Sequence, residues 1–401
     1  MTFWDDPIVF FGDVLVDLMA ALNMPPSLIN FISTLIGVVA VASFGLIGVI
    51  FLIWVERKVA ARFQDRIGPN RAGPYGLLQT LADIIKLITK EDSIPEKADK
   101  LAFNIAPVLS VVSVLLIWAV VPFASGWIGT DINVGVLYVA AVGSFGILSI
   151  LMAGWSSNNK YALLGAFRAV AQMISYEVPL LITLLIPVLL ARSMGMMSIV
   201  EAQTVPFILL APIPALLFLI SSIAELGRTP FDLLEAESEI VAGFHTEYTG
   251  MKFGLFFAGE FLHAFTVGVL TAVLFLGGWR GPGAETYPFL GMIYLMGKAF
   301  LGYFIIMWVR STLPRIRIDH MLAFNWKFLT PLTLSLLIMT AIVDKIYSET
   351  ALRVPALLTG NVVIFIITIV ILRETSRRQQ KTRKKFKRRP VAKAPVAGKA
   401  S

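Results

Sequence analysis

The chain has 401 residues, of which 57% are hydrophobic and only 15% are charged. A soluble domain carries about 25% charged residues, so the composition excludes a soluble globular protein and indicates an all-α polytopic membrane protein. The chain has no cysteine and only three dispersed histidines, which excludes disulfides and thiolate-bound metal clusters and predicts no metal site.

The first 30 residues predict an N-terminal interfacial segment and not a signal peptide. The opening stretch MTFWDDPIVFFGDVLVDLM has acids where a signal peptide has bases. Apolar residues recur there at helical spacing, which predicts a short amphipathic helix in the membrane interface. These residues are Phe10, Phe11, Val14, Leu15 and Leu18.

Residues 31–372 predict a transmembrane domain with about nine helices and additional amphipathic surface helices. The predicted spans are 31–55, 101–122, 136–155, 175–193, 206–223, 255–277, 290–310, 328–346 and 355–372. Lys and Arg concentrate in alternate loops, which predicts an outside N-terminus and a cytoplasmic C-terminus. The loops at 56–100, 156–174, 224–254 and 311–327 then lie on the cytoplasmic side.

Residues 373–401 predict a disordered basic cytoplasmic tail. This segment holds 12 Lys and Arg and one Glu, which leaves 22 bases and 25 acids in the rest of the chain. Such a composition cannot bury enough apolar surface to fold. Contact with anionic lipid headgroups is the favoured role, and binding of nucleic acid is not expected.

The loop after the first span, ERKVAARFQDRIGPNRAGPYG (56–76), has more structure than a membrane stop signal needs. Its Gly-Pro pairs fix turns. The next stretch, GLLQTLADIIKLITK, has the periodicity of an amphipathic helix on the membrane surface. Asp83 and Lys86 on this helix form either an exposed i,i+3 pair or a pair buried against other helices.

A second charged segment, AELGRTPFDLLEAESEIVAGFHTEY (224–248), holds six acids and a single arginine, Arg228. Acids crowded at a membrane border repel each other, so raised pKa values are expected for some of them. A solvated acidic loop and a proton-handling cluster both fit this composition. Glu177 and Glu260 lie within predicted spans, where a charge normally faces a cavity or a partner; a structural salt bridge is the alternative.

These segments, together with AGWSSNNKYALLGAFRAVAQMISYE and LPRIRID, resemble the NuoH family, the quinone-chamber membrane subunits of NADH-quinone oxidoreductase, or respiratory complex I. The resemblance spans residues 30 to 350. It implies a membrane subunit that forms the quinone-binding tunnel with the hydrophilic arm. It also implies that an acidic funnel below the tunnel couples quinone reduction to proton movement.

The resemblance further implies roles for individual residues. The implied tunnel residues are Glu56, Arg57, Arg228 and one chamber arginine, Arg315 or Arg317, of which Arg317 is favoured. The implied proton funnel consists of Asp83, Glu177, Glu225, Glu235, Glu237, Glu239 and Glu260. A further carboxylate found in the third span of some family members has no counterpart here, because residues 136–155 contain no acid.

The same resemblance implies the partners. Quinone is the substrate, FMN and the iron–sulfur clusters belong to partner subunits, and the isolated chain is not expected to be active. The implied partners are the hydrophilic quinone-reducing module, the membrane arm and the lipids of a bacterial cell membrane. Two alternatives remain open at this point: a homologous subunit of a membrane-bound hydrogenase or deazaflavin-dependent dehydrogenase, and an ion or solute transporter.

Overall fold

The computed structural model describes residues 7–234, 241–347 and 352–387, and within these ranges the chain forms helices and no β-strand. The all-α prediction is confirmed. The helices are α1 (Pro7–Ala21), α2 (Pro26–Phe63), α3 (Gln79–Thr89), α4 (Lys100–Trp118), α5 (Gly135–Ser156), α6 (Lys160–Ala191), α7 (Met196–Ala202), α8 (Phe207–Leu210), α9 (Pro212–Glu225), α10 (Gly250–Phe275), α11 (Pro288–Thr312), α12 (Ile318–Phe324), α13 (Thr330–Tyr347) and α14 (Arg353–Lys387).

Within the described ranges, eight segments are long and apolar enough to cross a membrane. They are α2, α4, α5, α6, α10, α11, the continuous stretch Ile318–Tyr347 that contains α12 and α13, and Arg353–Glu374 of α14. Each corresponds to one of the nine predicted spans. The chain is therefore a multi-pass membrane protein.

The remaining predicted span, 206–223, is shorter than expected and broken. It consists of α8 and α9, which separate at Ala211, where Pro212 begins the second helix. The side chain of Gln203, before α8, binds the backbone at the far end of α10. Arg228, after α9, instead binds Glu56 on α2. The segment that contains α8 and α9 therefore extends from Val273 on α10 to the level of Glu260 on the same helix. Of this segment α9 supplies 14 residues, about 21 Å of helix.

Helix α10 forms the centre of the bundle. In its most apolar stretch 78% of the residues are buried, compared with 11% in α14 at the periphery. The crossing of α10 and α11 depends on glycine, because a methyl group added to Gly268 would lie 2.5 Å from the carbonyl oxygen of Ala299. Small residues at such a crossing let two helix backbones approach closely.

The two ends of the chain extend beyond this bundle. Helix α1 occupies the stretch where a short amphipathic helix is predicted, and Phe11 and Leu18 on it are exposed. At the other end α14 continues to Lys387, so the tail boundary predicted after residue 372 does not coincide with the end of a helix. Residues 388–401 lie outside the described part, and the disorder of the tail stays a prediction.

Candidate functional site

The site is built around Arg228, in the short segment after α9. Its side chain is 1% exposed. The guanidinium donates from Nη1 to Glu56 Oε2 at 2.9 Å and from Nε to Glu260 Oε1 at 3.1 Å. It also lies over the ring of Phe261, with Cζ 5.1 Å from the ring centroid. The chain thereby places one arginine between a carboxylate on α2 and a carboxylate on α10.

Glu56 is the most densely bonded acid of this cluster. Besides Arg228, it accepts a hydrogen bond from the Tyr303 hydroxyl at 2.8 Å and another from Arg310. Both donors lie on α11, so Glu56 connects α2 and α11 to the segment that carries Arg228. Glu56, Glu260, Arg228 and Arg310 form a charge cluster with two acids and two bases, which carries no formal net charge.

Charge balance of this kind allows ionised side chains to lie inside a membrane protein. A buried charge that loses its partner costs about 3–5 kcal/mol, because the charge left behind remains desolvated. Ionised acids and bases in membrane helices therefore pair with each other or line polar cavities. The charge cluster meets both conditions, and it accounts for the position of Glu56, Arg228 and Glu260 at the border of apolar helices.

The second ion pair joins α2 to the surface helix α3. Arg57 Nη1 lies 2.5 Å from Asp83 Oδ2, and Lys86 Nζ lies 3.6 Å from Asp83 Oδ1. The sequence predicts an exposed or a buried Asp83–Lys86 pair, but the shorter contact of Asp83 is with Arg57, on another helix. Partial burial opposes ionisation of Asp83, but the hydrogen bond and charge of Arg57 outweigh it, so the pKa of Asp83 lies below its ordinary value.

The loop between α2 and α3 is folded against α2 in a fixed shape. The indole of Trp54 donates to the carbonyl oxygen of Tyr75 at 3.1 Å. Gly76 has a positive φ of 77°, and a methyl group on it would clash with the carbonyl oxygen of Pro69. Only glycine fits this close approach. The Gly-Pro-rich sequence therefore folds into a compact surface element beside Arg57 and Asp83.

A first cavity of about 100 Å³ adjoins the charge cluster. Aromatic side chains of α10, among them Phe253, Phe256 and Phe257, form an apolar part of its wall. The ionisable residues that line it are Glu225, Arg228, Asp232, His245, Glu260, His263 and Arg310. The cavity thus combines an aromatic wall with a polar wall, as small-molecule sites generally do.

His245 is a neutral group of this wall at ordinary pH. Its ring packs against Phe244 and Phe253, with centroid separations of 5.1 Å and 5.3 Å. Burial among these rings lowers the pKa of His245 to about 4. The imidazole therefore stays unprotonated near neutral pH and contributes polarity to the cavity without charge.

A second cavity of about 30 Å³ lies deeper in the bundle and contains two of the predicted funnel acids, Glu177 and Glu225. Glu177 on α6 accepts a hydrogen bond from the Ser144 hydroxyl of α5 at 2.8 Å. Glu225 is the last residue of α9 and is buried. Glu225 lines both cavities, whereas Glu260 lines the first and Glu177 the second. We call Glu260, Glu225 and Glu177 the acidic row.

The structure does not bring every predicted site residue to this row. Arg317 is exposed at the start of α12 and does not line either cavity. Glu235, Glu237 and Glu239 lie outside the described residues. All the other predicted residues lie either in the charge cluster, in the Arg57–Asp83 pair or along the cavities.

The two residues of α11 that donate hydrogen bonds to Glu56 are not among the predicted site residues. Arg310 is one of several bases near a span end, where bases usually report topology. Its spacing before Pro314 gives no sign of the contact with Glu56. Tyr303 gives no signal in the sequence, because a tyrosine in an apolar helix is common and its hydroxyl partner lies 247 positions away.

Comparison with known proteins identifies the family. A family model described as NADH dehydrogenase matches residues 36–341. The NuoH subunit of NADH-quinone oxidoreductase from Dehalococcoides mccartyi (strain CBDB1) is 51% identical over 311 residues, 78% of this chain and 87% of the relative. The chain belongs to the NuoH family of NADH-quinone oxidoreductase subunits. The same name is borne by relatives from Paramagnetospirillum magneticum, 44% identical over 82% of this chain and 96% of the relative, and Geobacillus kaustophilus, 47% identical over 73% and 88%.

Membership of the NuoH family makes the chain a membrane subunit of an oxidoreductase complex, complex I, which confirms the predicted resemblance. The chain has no cysteine. Within the part of the chain that the structure describes, no group of three or more His, Asp or Glu side chains could hold a metal ion.

Proposed function

We propose that this subunit forms the quinone-binding tunnel together with the hydrophilic arm of its complex, and that it couples quinone reduction to proton movement. The observation that carries the proposal is the buried guanidinium of Arg228, held between Glu56 and Glu260 at the wall of the first cavity. Electrons reach the quinone from NADH through FMN and iron–sulfur clusters on partner subunits, since this chain has no thiolate to hold a cluster.

Quinone binding is supported by the mixed wall of the first cavity. A lipid quinone needs an apolar path for its tail and hydrogen-bond donors for its ring carbonyls. Arg228 Nη2 has no hydrogen-bond partner among the described residues, so it is available to donate to a carbonyl oxygen. Arg57, which is 41% exposed next to the compact loop, is a second candidate for the tunnel wall, and Arg317 remains the proposed chamber arginine.

Proton coupling is supported by the row of acids. Reduction of a quinone to a quinol consumes two electrons and two protons, and the intermediate charge acts on every ionisable group nearby. Glu260, Glu225 and Glu177 extend from the charge cluster into the membrane, so a charge change at the quinone shifts their protonation. We assign Asp83, Glu235, Glu237 and Glu239 to the same funnel on the basis of the family resemblance.

The proposed orientation follows the distribution of bases. The N-terminus is outside and the C-terminus lies in the cytoplasm, which places the loops at 56–100, 156–174, 224–254 and 311–327 beneath the hydrophilic arm. Segment 1–30 lies in the interface, 31–372 is the transmembrane domain, and the basic tail 373–401 contacts anionic lipids.

Two experiments on the assembled complex test the proposal. A photoreactive short-chain quinone should label peptides that contain Arg57 or Arg228, and an excess of unlabelled quinone should prevent the labelling. Replacing Glu235 and Glu237 by Gln should abolish proton translocation by membrane vesicles that oxidise NADH. Labelling confined to other subunits would contradict the tunnel, and undiminished translocation in the double variant would contradict the funnel.

A further inference from the structure

His263 lies where the two cavities meet. It follows Glu260 by three residues on α10, so both side chains lie on one face of the helix, about one turn apart. His263 lines the first cavity and also the second. His263 therefore shares the wall of the first cavity with Glu260 and Glu225, and the wall of the second cavity with Glu225 and Glu177.

The two cavities share few lining residues. Four described residues line both cavities: Ile117, Gly143, Glu225 and His263. The residues contributed by α4 and α5, Ile117 and Gly143, cannot exchange protons. A proton that passes from one cavity to the other thus meets only two titratable side chains in the described structure, Glu225 from one side and His263 from the other.

The surroundings of His263 favour proton exchange over a packing role. Within the described part of the chain its imidazole makes no hydrogen bond to another residue. The hydroxyl of Ser222 in the second cavity and Arg228 Nη2 beside the first also have no partner there. Buried polar groups of this kind are normally satisfied by water, and a volume of about 15 Å³ holds one molecule. Both cavities are large enough for water to reach the imidazole.

We propose that His263 is a proton-transfer residue that carries protons between the first and the second cavity. This inference rests on the proposed function of the acidic row. One ring nitrogen binds a proton delivered by water or by Glu260, and the imidazolium then releases the proton of its other nitrogen toward Glu225. Rotation of the neutral ring brings its unprotonated nitrogen back to the donor side. An O–H bond of the donor breaks as one N–H bond forms, and the other N–H bond breaks as an O–H bond forms on Glu225, so the step needs no oxidant or reductant.

The charges around His263 set the direction of its response. The other titratable or charged residues that line the two cavities are Glu260, Glu225, Asp232, Glu177, His245, Arg228 and Arg310. Glu56 on α2 binds both of these arginines. A negative charge formed on quinone near Arg228 would weaken the repulsion between this arginine and an imidazolium. His263 then binds a proton more readily when quinone is reduced, which links its protonation to the reaction.

The test uses the intact complex reconstituted in lipid vesicles, with NADH oxidation by a short-chain quinone and acidification of the lumen as readouts. His263→Asn should slow both by about tenfold or more, because a positioned proton-transfer group contributes about 10²-fold or more and Glu225 with water offers a partial bypass. The variant should also show a larger solvent isotope effect in D₂O. His263→Glu, which retains a titratable group, should recover most of the rate.

A matched control lies on the same helix. The hydroxyl of Thr271 bonds within α10, and the residue lines neither cavity, so Thr271→Val should behave as the parent complex. Native gels establish that each variant assembles, and His263→Gln replaces His263→Asn if the latter does not. An assembled His263→Asn or His263→Gln complex with the parent's rates and isotope effect would overturn the inference.

A third variant separates this inference from the proposed function. If Glu225→Gln stops coupled turnover while His263→Asn has no effect, the acidic row is required and His263 is not part of it. If Glu225→Gln leaves coupled turnover unchanged, the proposed funnel fails and the role of His263 fails with it.

Discussion

A double-mutant cycle on Glu56 and Arg228 would measure the energy of the charge cluster. Glu56→Gln leaves Arg310 without an acid among the described residues and leaves Arg228 with Glu260 only. Arg228→Met leaves the buried Glu56 with Arg310 and Tyr303. Each single change should cost about 3 kcal/mol, the lower end of the range for breaking a buried pair, because the buried charge left behind loses one partner and keeps another. The double change removes both charges of the innermost pair, so its cost should be smaller than the sum by about 2 kcal/mol or more.

The rate of thermal inactivation of the solubilised complex measures these energies as changes in the barrier to inactivation. Lowering that barrier by about 1.4 kcal/mol makes inactivation ten times faster. The single variants should lose quinone reductase activity about 10²-fold faster than the parent, and the double variant should lose it at least about 30-fold more slowly than the product of the two single effects. Glu260→Gln serves as a milder control, since Glu260 is 26% exposed and Arg228 retains Glu56. Effects of the two substitutions that add within about 0.5 kcal/mol would refute the coupling.

The same inactivation assay tests two further predictions, and assembly of the complex on native gels tests a third. His245→Gln should weaken the pH dependence of stability. The pKa of His245 in the folded chain, about 4, lies below its ordinary value of 6.5, so the parent complex loses stability as the pH falls from about 6.5 toward 4. A His245→Gln variant that loses the same stability over this range would contradict the prediction. Asp83→Asn should lower the stability of the complex by at most about 1 kcal/mol, because its partner Arg57 is 41% exposed. This loss should be the same at every pH between 5 and 8 and should vanish at high salt. A loss that persists at high salt would indicate a buried ion pair. Gly268→Val should prevent assembly of the complex by separating α10 from α11. The control Gly297→Ala should assemble normally, because nothing lies within 4 Å of the added methyl group. Equal assembly of the two variants would contradict the close crossing of α10 and α11.

The bundle could largely be predicted from the sequence, because a membrane crossing depends on a local run of apolar residues. Eight of the nine predicted spans are long helices of the described structure. The broken span at α8 and α9 is also visible as a cluster of prolines, Pro206, Pro212 and Pro214, but its short length is not.

The charge cluster could be predicted in part. The sequence singles out Glu56, Arg228 and Glu260, because placing a charged side chain in or at the edge of an apolar membrane helix costs free energy. Their pairing is a property of the folded chain, since Glu56 and Arg228 lie 172 positions apart, and no local pattern reports such a contact. Tyr303 and Arg310 escape prediction for the same reason. Asp83 is assigned to the right helix, but its partner Arg57 comes from α2.

Coupling of quinone reduction to proton movement depends, in our proposal, on the acidic row between the cavities. The most direct measurement compares proton translocation and NADH oxidation by vesicles that contain either the parent complex or the Glu225→Gln variant. Because Glu225 lines both cavities, we expect the assembled variant to lose translocation, and coupled NADH oxidation to fall with it. An assembled Glu225→Gln complex that oxidises NADH and acidifies the vesicle lumen at the parent's rate would contradict the proposal.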